Sequence, residues 1–250
     1  MKISLITICF NNEETIEETF KSVKNQNYPN LEYIVIDGAS TDKTVDIIKR
    51  EQAFISKWIS EPDKGIYDAL NKGIEMATGD IIGFIHGDDI FADNNVLKTV
   101  ASRFNEKDKP DLIYGNLRYV KANNPDIVLR HWNSSKFSLR KCKWGWMPPH
   151  PTLYCKNKVF KKVGYFNISY KISADYEWIL RAFLNHQLKA AYIPVLMIKM
   201  KTGGVSNRSF KNIMLKTKED YRAIKEHHAG GILTLLWKNF SKLNQFCVKS

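Results

Sequence analysis

Two adjacent carboxylates close the stretch Phe84-Ile85-His86-Gly87-Asp88-Asp89. The apolar run before them reads as a buried strand. Both acids then stand at its carboxyl end, where open α/β sheets bind ligands and where hard cations find oxygen ligands. That chemistry suits a phosphate group held through a metal ion. A solvated turn, with Asp93 capping the helix that follows, is the plainer reading of the same residues. Asp37 and Asp63 also follow apolar runs, and in a parallel sheet all of these acids fall on one rim. Several carboxylates converging there favour a site over a set of unrelated turns.

The elements that must position these acids alternate. Residues 3–10 read as a buried strand and residues 13–24 as a helix with Ile16, Thr19, Phe20 and Val23 on one face. A strand follows at 32–37, then a helix through Val45, Ile47 and Ile48 capped by Thr41 or Asp42. A short strand at 55–60 leads to the loop Glu61-Pro62-Asp63-Lys64-Gly65 and a helix carrying Ala69, Leu70, Ile74 and Ala77. The strand 81–85 then delivers Asp88 and Asp89. Strand and helix in alternation imply a mostly parallel sheet flanked by helices. Beyond Pro110 the rhythm changes: strands are expected at 112–114, 117–120, 153–155 and 192–199, and a helix at 173–184. A basic amphipathic helix is expected at 210–228, with Phe210, Ile213, Met214, Tyr221 and Ile224 on one face. A second amphipathic segment carries Ile232, Leu233, Leu236, Trp237, Phe240 and Leu243. The Trp-rich stretch 130–147 has no clear period.

Charge divides the chain. Residues 1–110 hold 13 Lys and Arg against 19 Asp and Glu, net −6, whereas residues 111–250 hold 25 against 7, net +18. A basic half of this kind suits an anionic partner: nucleic acid, phosphorylated substrate or anionic lipid. Cys9, Cys142, Cys155 and Cys247 form no Cys-x-x-Cys pair, so neither a zinc site nor a disulfide framework is signalled. No leader or membrane span is visible, which gives a cytoplasmic expectation. The Gly-x-Gly-x-x-Gly and Gly-x-x-x-x-Gly-Lys-Ser/Thr signatures are missing, against dinucleotide dehydrogenases and P-loop enzymes, as is His-Glu-x-x-His.

Taken together, residues 3–201 resemble the inverting family-two glycosyltransferases of the GT-A fold. The resemblance rests on Ile3-Ser4-Leu5-Ile6-Thr7-Ile8-Cys9-Phe10-Asn11, Ile36-Asp37-Gly38-Ala39-Ser40-Thr41-Asp42, Gly79-Asp80 and the run from Phe84 to Asp89, in matching order and spacing. It implies that Ile8 and Phe10 line a nucleotide base and that Asp37 hydrogen-bonds it. Asp63 and Lys64 approach the donor, Lys64 at the diphosphate. Asp88 faces the ribose or the metal, and Asp89 ligates Mg²⁺ or Mn²⁺. His150, in Pro148-Pro149-His150-Pro151-Thr152, stands near the donor diphosphate. The resemblance places the general base, which must take the proton of the acceptor hydroxyl, at Asp175 in Ile172-Ser173-Ala174-Asp175-Tyr176-Glu177-Trp178, with Glu177 the lesser candidate. Without the family context, Asp175 or Ser173 is simply a helix cap. Trp144 and Trp146 are core residues or a stacking platform for a sugar.

Three positions depart from the family pattern: Gly38 where a second Asp is common, His86 where Asn or Asp is common, and Ala174 where Glu is frequent. The Gln-x-x-Arg-Trp motif of processive synthases is missing as well, which implies transfer of one sugar per encounter. The expectation is an α/β protein of GT-A type, with a Rossmann-like, mostly parallel sheet flanked by helices. A nucleotide-sugar-binding half (1–110) precedes an acceptor-binding half (111–205) and a basic amphipathic helical extension (206–250). The expected function is metal-dependent transfer from a nucleotide diphosphate sugar, a UDP-sugar foremost, to a glycan or lipid-diphosphate-linked glycan in surface polysaccharide assembly. Peripheral contact with the inner face of the membrane and no nucleic-acid partner go with it. The rivals are a basic nucleic-acid-binding protein, for the interleaved Trp, Tyr, Lys and Arg of the second half, and an inactive transferase-like scaffold.

Overall fold

The structure is a computed structural model, and it describes residues 1–186, 188–202 and 210–241. Strands β1 (Ile3–Cys9), β2 (Leu31–Asp37), β3 (Lys57–Ser60) and β4 (Ile81–Phe84) pair in parallel, in the order β3-β2-β1-β4. Helices α1 (Ile16–Lys24), α2 (Thr44–Glu51) and α3 (Ile66–Met76) connect them. Such strands are covered on both faces, which is why they read as continuous apolar runs. Alternate side chains enter different cores. Leu5, Cys9, Tyr33 and Val35 pack with Ile16, Phe20, Ile47 and Ile48. Ile6, Ile8, Ile34 and Ile36 pack with Leu70 and Ile74 and with a large aromatic cluster around Trp178.

The second half completes the same sheet with mixed pairing. After β5 (Asp89–Phe91) and α4 (Val96–Phe104) come β6 (Leu112–Lys121), β7 (Asn124–Trp132), α5 (Leu139–Lys143), β8 (Tyr154–Lys156), α6 (Asn157–Val163), α7 (Ala174–Leu180) and β9 (Ala190–Lys201). β8 joins β4 to β6 with antiparallel bonds on both sides, β6 and β9 are parallel, and β5 closes the edge antiparallel to β9. The result is one nine-stranded sheet, flanked by helices and followed by α8 (Phe210–Glu226) and α9 (Ile232–Phe240).

Where two strands were expected after Pro110, β6 runs unbroken, its register shifting between Tyr114 and Leu117. β7 was not anticipated. Its residues are mostly exposed or half-buried, so they carry no apolar alternation to read. The helix expected to end at 184 leaves the α-helical pattern after Leu180 and continues as a π-turn through Asn185. Leu243 lies outside the described residues.

Gly83, in β4, tests how tightly the two halves meet. A Cβ there would lie 2.1 Å from a ring carbon of Tyr154, a side chain with no exposed surface. The ring is held on all sides. Gly83→Ala should therefore overpack the junction and cost about 1–3 kcal/mol, read as a lower denaturant midpoint. An unchanged midpoint would show that β8 yields freely.

Candidate active site

Because β1, β2 and β3 run parallel with Cys9, Asp37 and Ser60 in register, their following loops crowd onto one rim. The loops after β1 and β2 are clamped to each other. The Asn11 amide donates to the Ser40 hydroxyl at 2.8 Å, and the Thr41 amide donates to the Asn11 side chain at 2.9 Å. Asn11 and Ala39 both take positive φ, 51° and 62°, a cost that surrounding bonds must hold in place. The outcome is a Phe10 ring left 60 % exposed at the rim.

Asp37 is wholly buried, and it accepts hydrogen bonds from the Ser40 amide at 3.0 Å, the Ser40 hydroxyl, and the Ser60 hydroxyl at 2.6 Å. It braces the loop that carries Gly38. A Cβ on Gly38 would stand 2.6 Å from the Asp63 carboxylate and 3.4 Å from the Phe10 ring, so the small residue makes room for Asp63 beside Phe10. Asp63 also accepts the Gly65 amide at 2.8 Å. Lys64 is exposed, and Ile8 lies in the core beneath.

The two acids that end the β4 turn differ. Asp88 is half-buried, whereas Asp89 has no exposed surface and neither of its carboxylate oxygens has a hydrogen-bond partner. Burial, and then the charge of Asp88, push the Asp89 carboxyl well above the usual range, with Lys201 pulling the other way. Among the described residues, no group of three or more His, Cys, Asp or Glu could by itself hold a metal ion. A divalent ion held here would have to take one or two carboxylates and draw its remaining ligands from substrate phosphates and water.

A second cluster lies beside this rim. Nε2 of His86 is 3.5 Å from Nε2 of His150, and Nδ1 of His150 is 3.0 Å from Oδ2 of Asp175. The Tyr67 hydroxyl, from the first turn of α3, stands 3.1 Å from Oδ1 of Asp175 and donates to the Ile172 carbonyl at 2.6 Å. Burial alone would raise the Asp175 carboxyl, but the charge and hydrogen bond of His150, with Lys238 behind it, hold it below the ordinary carboxylate range. His86 moves the other way. Burial and then the neighbouring His150 bring it down to about 3, against a smaller pull from Asp175, so it is neutral near pH 7.

Neither plain alternative for the α7 acids matches this geometry. The turn ahead of α7 is held from outside by the buried Glu219 of α8, which accepts the amides of Lys171, Ile172 and Ser173 at 2.8, 2.9 and 2.9 Å. Ser173 makes no side-chain cap. Glu177 is buried against Arg181, two bonds of 3.0 Å, and against His227 at 2.8 Å, a structural set that leaves Asp175 as the carboxylate of the cluster. Trp146 packs on Tyr114, while Trp144 is exposed. Tyr67, Glu219 and Lys238 carried no local signal in the sequence. Tyr67 lies 108 residues from Asp175, a separation that no spacing rule reaches.

The chain matches the family model described as Glycosyl transferase family 2 over residues 4–166. It is 34 % identical, over 73 % of its length and 69 % of the relative's, to an uncharacterized glycosyltransferase of Mycobacterium tuberculosis. It is 27 % identical, over 98 % of its length and 95 % of the relative's, to the Escherichia coli UDP-Glc:alpha-D-GlcNAc-diphosphoundecaprenol beta-1,3-glucosyltransferase WfaP. Among solved structures, residues 1–349 of Staphylococcus aureus TarS in complex with UDP-GlcNAc superpose with a TM-score of 0.71 at 19 % identity, covering 96 % of this chain and 73 % of that one. The Pyrobaculum calidifontis mannosyltransferase PcManGT, in complex with GDP-Man and Mn²⁺, does so at 0.63 and 18 %, covering 100 % and 76 %. With a GT-A-type sheet and a family match over more than half its length, the chain belongs to glycosyltransferase family 2.

Proposed function

We propose that this protein is an inverting, metal-dependent hexosyltransferase that moves one sugar per encounter from a UDP-sugar to a glycan carried on a lipid diphosphate, at the inner face of the cell membrane. The observation that carries this reading is the half-buried Asp175 carboxylate, held by His150 and Tyr67 and linked through His150 to His86, two residues from Asp88. The E. coli relative's printed donor and acceptor support the UDP-sugar and the lipid diphosphate.

Phe10 offers an exposed ring on which a base stacks, with Ile8 behind it as part of the wall. Asp37 serves the base by bracing the loop that approaches it, and Asp63 and Lys64 flank the donor, Lys64 at the diphosphate. Buried and unpartnered, Asp89 is poorly placed to reach a substrate, so the proposed metal ligand moves to the half-exposed Asp88, with Asp89 behind it. Asp88 would hold Mg²⁺ or Mn²⁺, whose charge would offset that developing on a departing diphosphate. The Mn²⁺ in the Pyrobaculum mannosyltransferase structure supports a divalent ion as part of this reading.

The acceptor hydroxyl oxygen attacks the anomeric carbon from the side opposite the leaving group. The bond between that carbon and the phosphate oxygen breaks, UDP departs with the electron pair, and the hydroxyl proton passes to Asp175. A second assignment has one specific observation in its favour. The 3.0 Å contact from His150 Nδ1 to Asp175 is also the arrangement in which a carboxylate orients an imidazole that takes the proton at Nε2. The pH profile of single-turnover transfer separates the two: a carboxylate base keeps its activity well below pH 6, whereas an imidazole base loses it near neutrality.

Asp175→Asn should lower single-turnover transfer from a UDP-sugar panel to a GlcNAc-diphosphate lipid analogue by ~10²–10⁴-fold, while UDP affinity in calorimetry stays within about twofold. Near wild-type transfer would remove Asp175 from the chemistry. Asp88→Asn should abolish the divalent-ion dependence of UDP binding, and equal UDP affinity with and without EDTA in the wild type would sink the metal assignment.

Carbon-detected titration of the Asp175 carboxyl should show a midpoint below the ordinary ~3.9, rising in His150→Ala as burial loses its main opponent. A lowered folded pKa adds stability that is complete above that ordinary value and fades as pH falls through the folded one. The stability advantage of the wild type over His150→Ala should therefore be full above about pH 4 and shrink as the pH falls further. Superimposable titrations would show that His150 does not hold the charge.

A further inference from the structure

α9 is folded inside out. Its one charged residue, Lys238, is 1 % exposed, with its ammonium 2.5 Å from Asp220 of α8 and 3.7 Å from the centre of the Tyr176 ring. Thr234 and Leu235 share the buried side, and the Thr234 hydroxyl donates to the Lys143 carbonyl at 3.2 Å. The seat is close, since a Cβ on Gly145 would come 2.7 Å from Cβ of Lys238. The opposite side carries Ile232, Leu233, Leu236, Trp237 and Phe240, spaced as one helical face and exposed by between 45 % at Leu236 and 69 % at Leu233. Trp144, at the end of α5, extends it with its ring 6.4 Å from that of Trp237. The stripe noted in the sequence is therefore not the side that packs on the sheet domain. Of α8's expected apolar face, Ile224 is buried, but Ile213, Met214 and Tyr221 are exposed.

We propose that this face of α9, with Trp144, docks on the surface of an anionic lipid bilayer. A contiguous apolar patch of this kind marks an interaction surface, and the charges beside it select the occupant. Arg140, Lys141 and Lys143 of α5 are exposed next to Trp144, the sequence has no Asp or Glu between Asp126 and Asp175, and none follows Glu226. A second copy would bring like charges together across a twofold contact. Anionic headgroups complement them, and paired Trp rings favour the boundary between headgroups and acyl chains. Among the described residues, no helix is long and apolar enough to cross a membrane, so the contact is a surface one. Leu243, expected on this face, lies outside the described residues. The docking stands on the face itself, so it survives or fails independently of the acceptor.

The full chain should co-sediment with vesicles of phosphatidylglycerol and phosphatidylethanolamine, more weakly with phosphatidylcholine alone, and more weakly in 0.5 M salt. Replacing Leu233, Trp237 and Phe240 together by Ser should lower the partition coefficient by about tenfold or more. Arg140→Glu with Lys143→Glu should remove the preference for anionic vesicles. All five side chains are exposed, and unchanged melting curves confirm intact folds. Two results would overturn the docking: equal sedimentation of wild type and triple variant, or a wild-type dimer in light scattering that the triple variant dissociates while neither binds vesicles.

Discussion

A carboxylate drawn out of water stays ionised only if something opposes the cost of desolvating its charge, and the half-buried Asp175 meets that demand with partners from three parts of the chain. His150 supplies the opposing charge and hydrogen bond, Tyr67 stands at the other oxygen, and Lys238 adds a more distant positive charge. Each partner comes from a different part of the chain: the turn before β8, the first turn of α3, and α9. The surroundings of Asp175 are thus assembled from both sheet halves, α3 and the C-terminal helices. The same demand explains Glu219, whose carboxylate gathers three amides ahead of α7 and so fixes the helix that carries Asp175.

The donor side follows from a different constraint. Parallel strands in register deliver their loops to one rim, and each loop must then be held by bonds made at its base. Asp37 does this from below, with no surface of its own. Gly38 contributes by what it lacks, since any side chain there would displace Asp63 from its place beside Phe10. The departure from the family pattern at Gly38 thus has a steric reason. At His86, burial and the neighbouring His150 keep the imidazole neutral, so it adds no charge next to Asp88.

How much of this was legible in the sequence depended on whether a residue's role is set locally. β1, β2 and β4 were readable because strands buried on both faces are plain apolar runs, and Asp37 and Asp88 were found because they end such runs. β7 was missed because its side chains are mostly exposed or half-buried and carry no alternation. β6 was split in two because Gly115 interrupts its apolar residues. In the fold that glycine sits against Met197, where a Cβ would lie 2.8 Å from the side chain. Of the site, the individual acids were visible but their surroundings were not. The burial of Asp89 and the pairing of His150 with Asp175 arise from contacts between residues far apart in sequence, beyond the reach of a spacing rule.

α9 carries this lesson to its limit. Periodicity gave the apolar stripe correctly, and the usual inference places such a stripe against the core. Here the core side of the helix is fixed by a polar requirement instead. Asp220 is buried on α8, and the long stem of Lys238 can reach it while lying across the face of Tyr176. Satisfying that charge orients the helix, and the orientation turns Leu233, Trp237 and Phe240 outward. Removing Asp220 would leave the Lys238 charge buried without its carboxylate, a loss of about 3–5 kcal/mol for pairs of this kind, whereas Asp220 without Lys238 keeps Lys216 at 3.5 Å. The ion pair thus ties the outward-facing apolar surface to α8, the helix whose neighbouring Glu219 holds the start of α7 beneath Asp175.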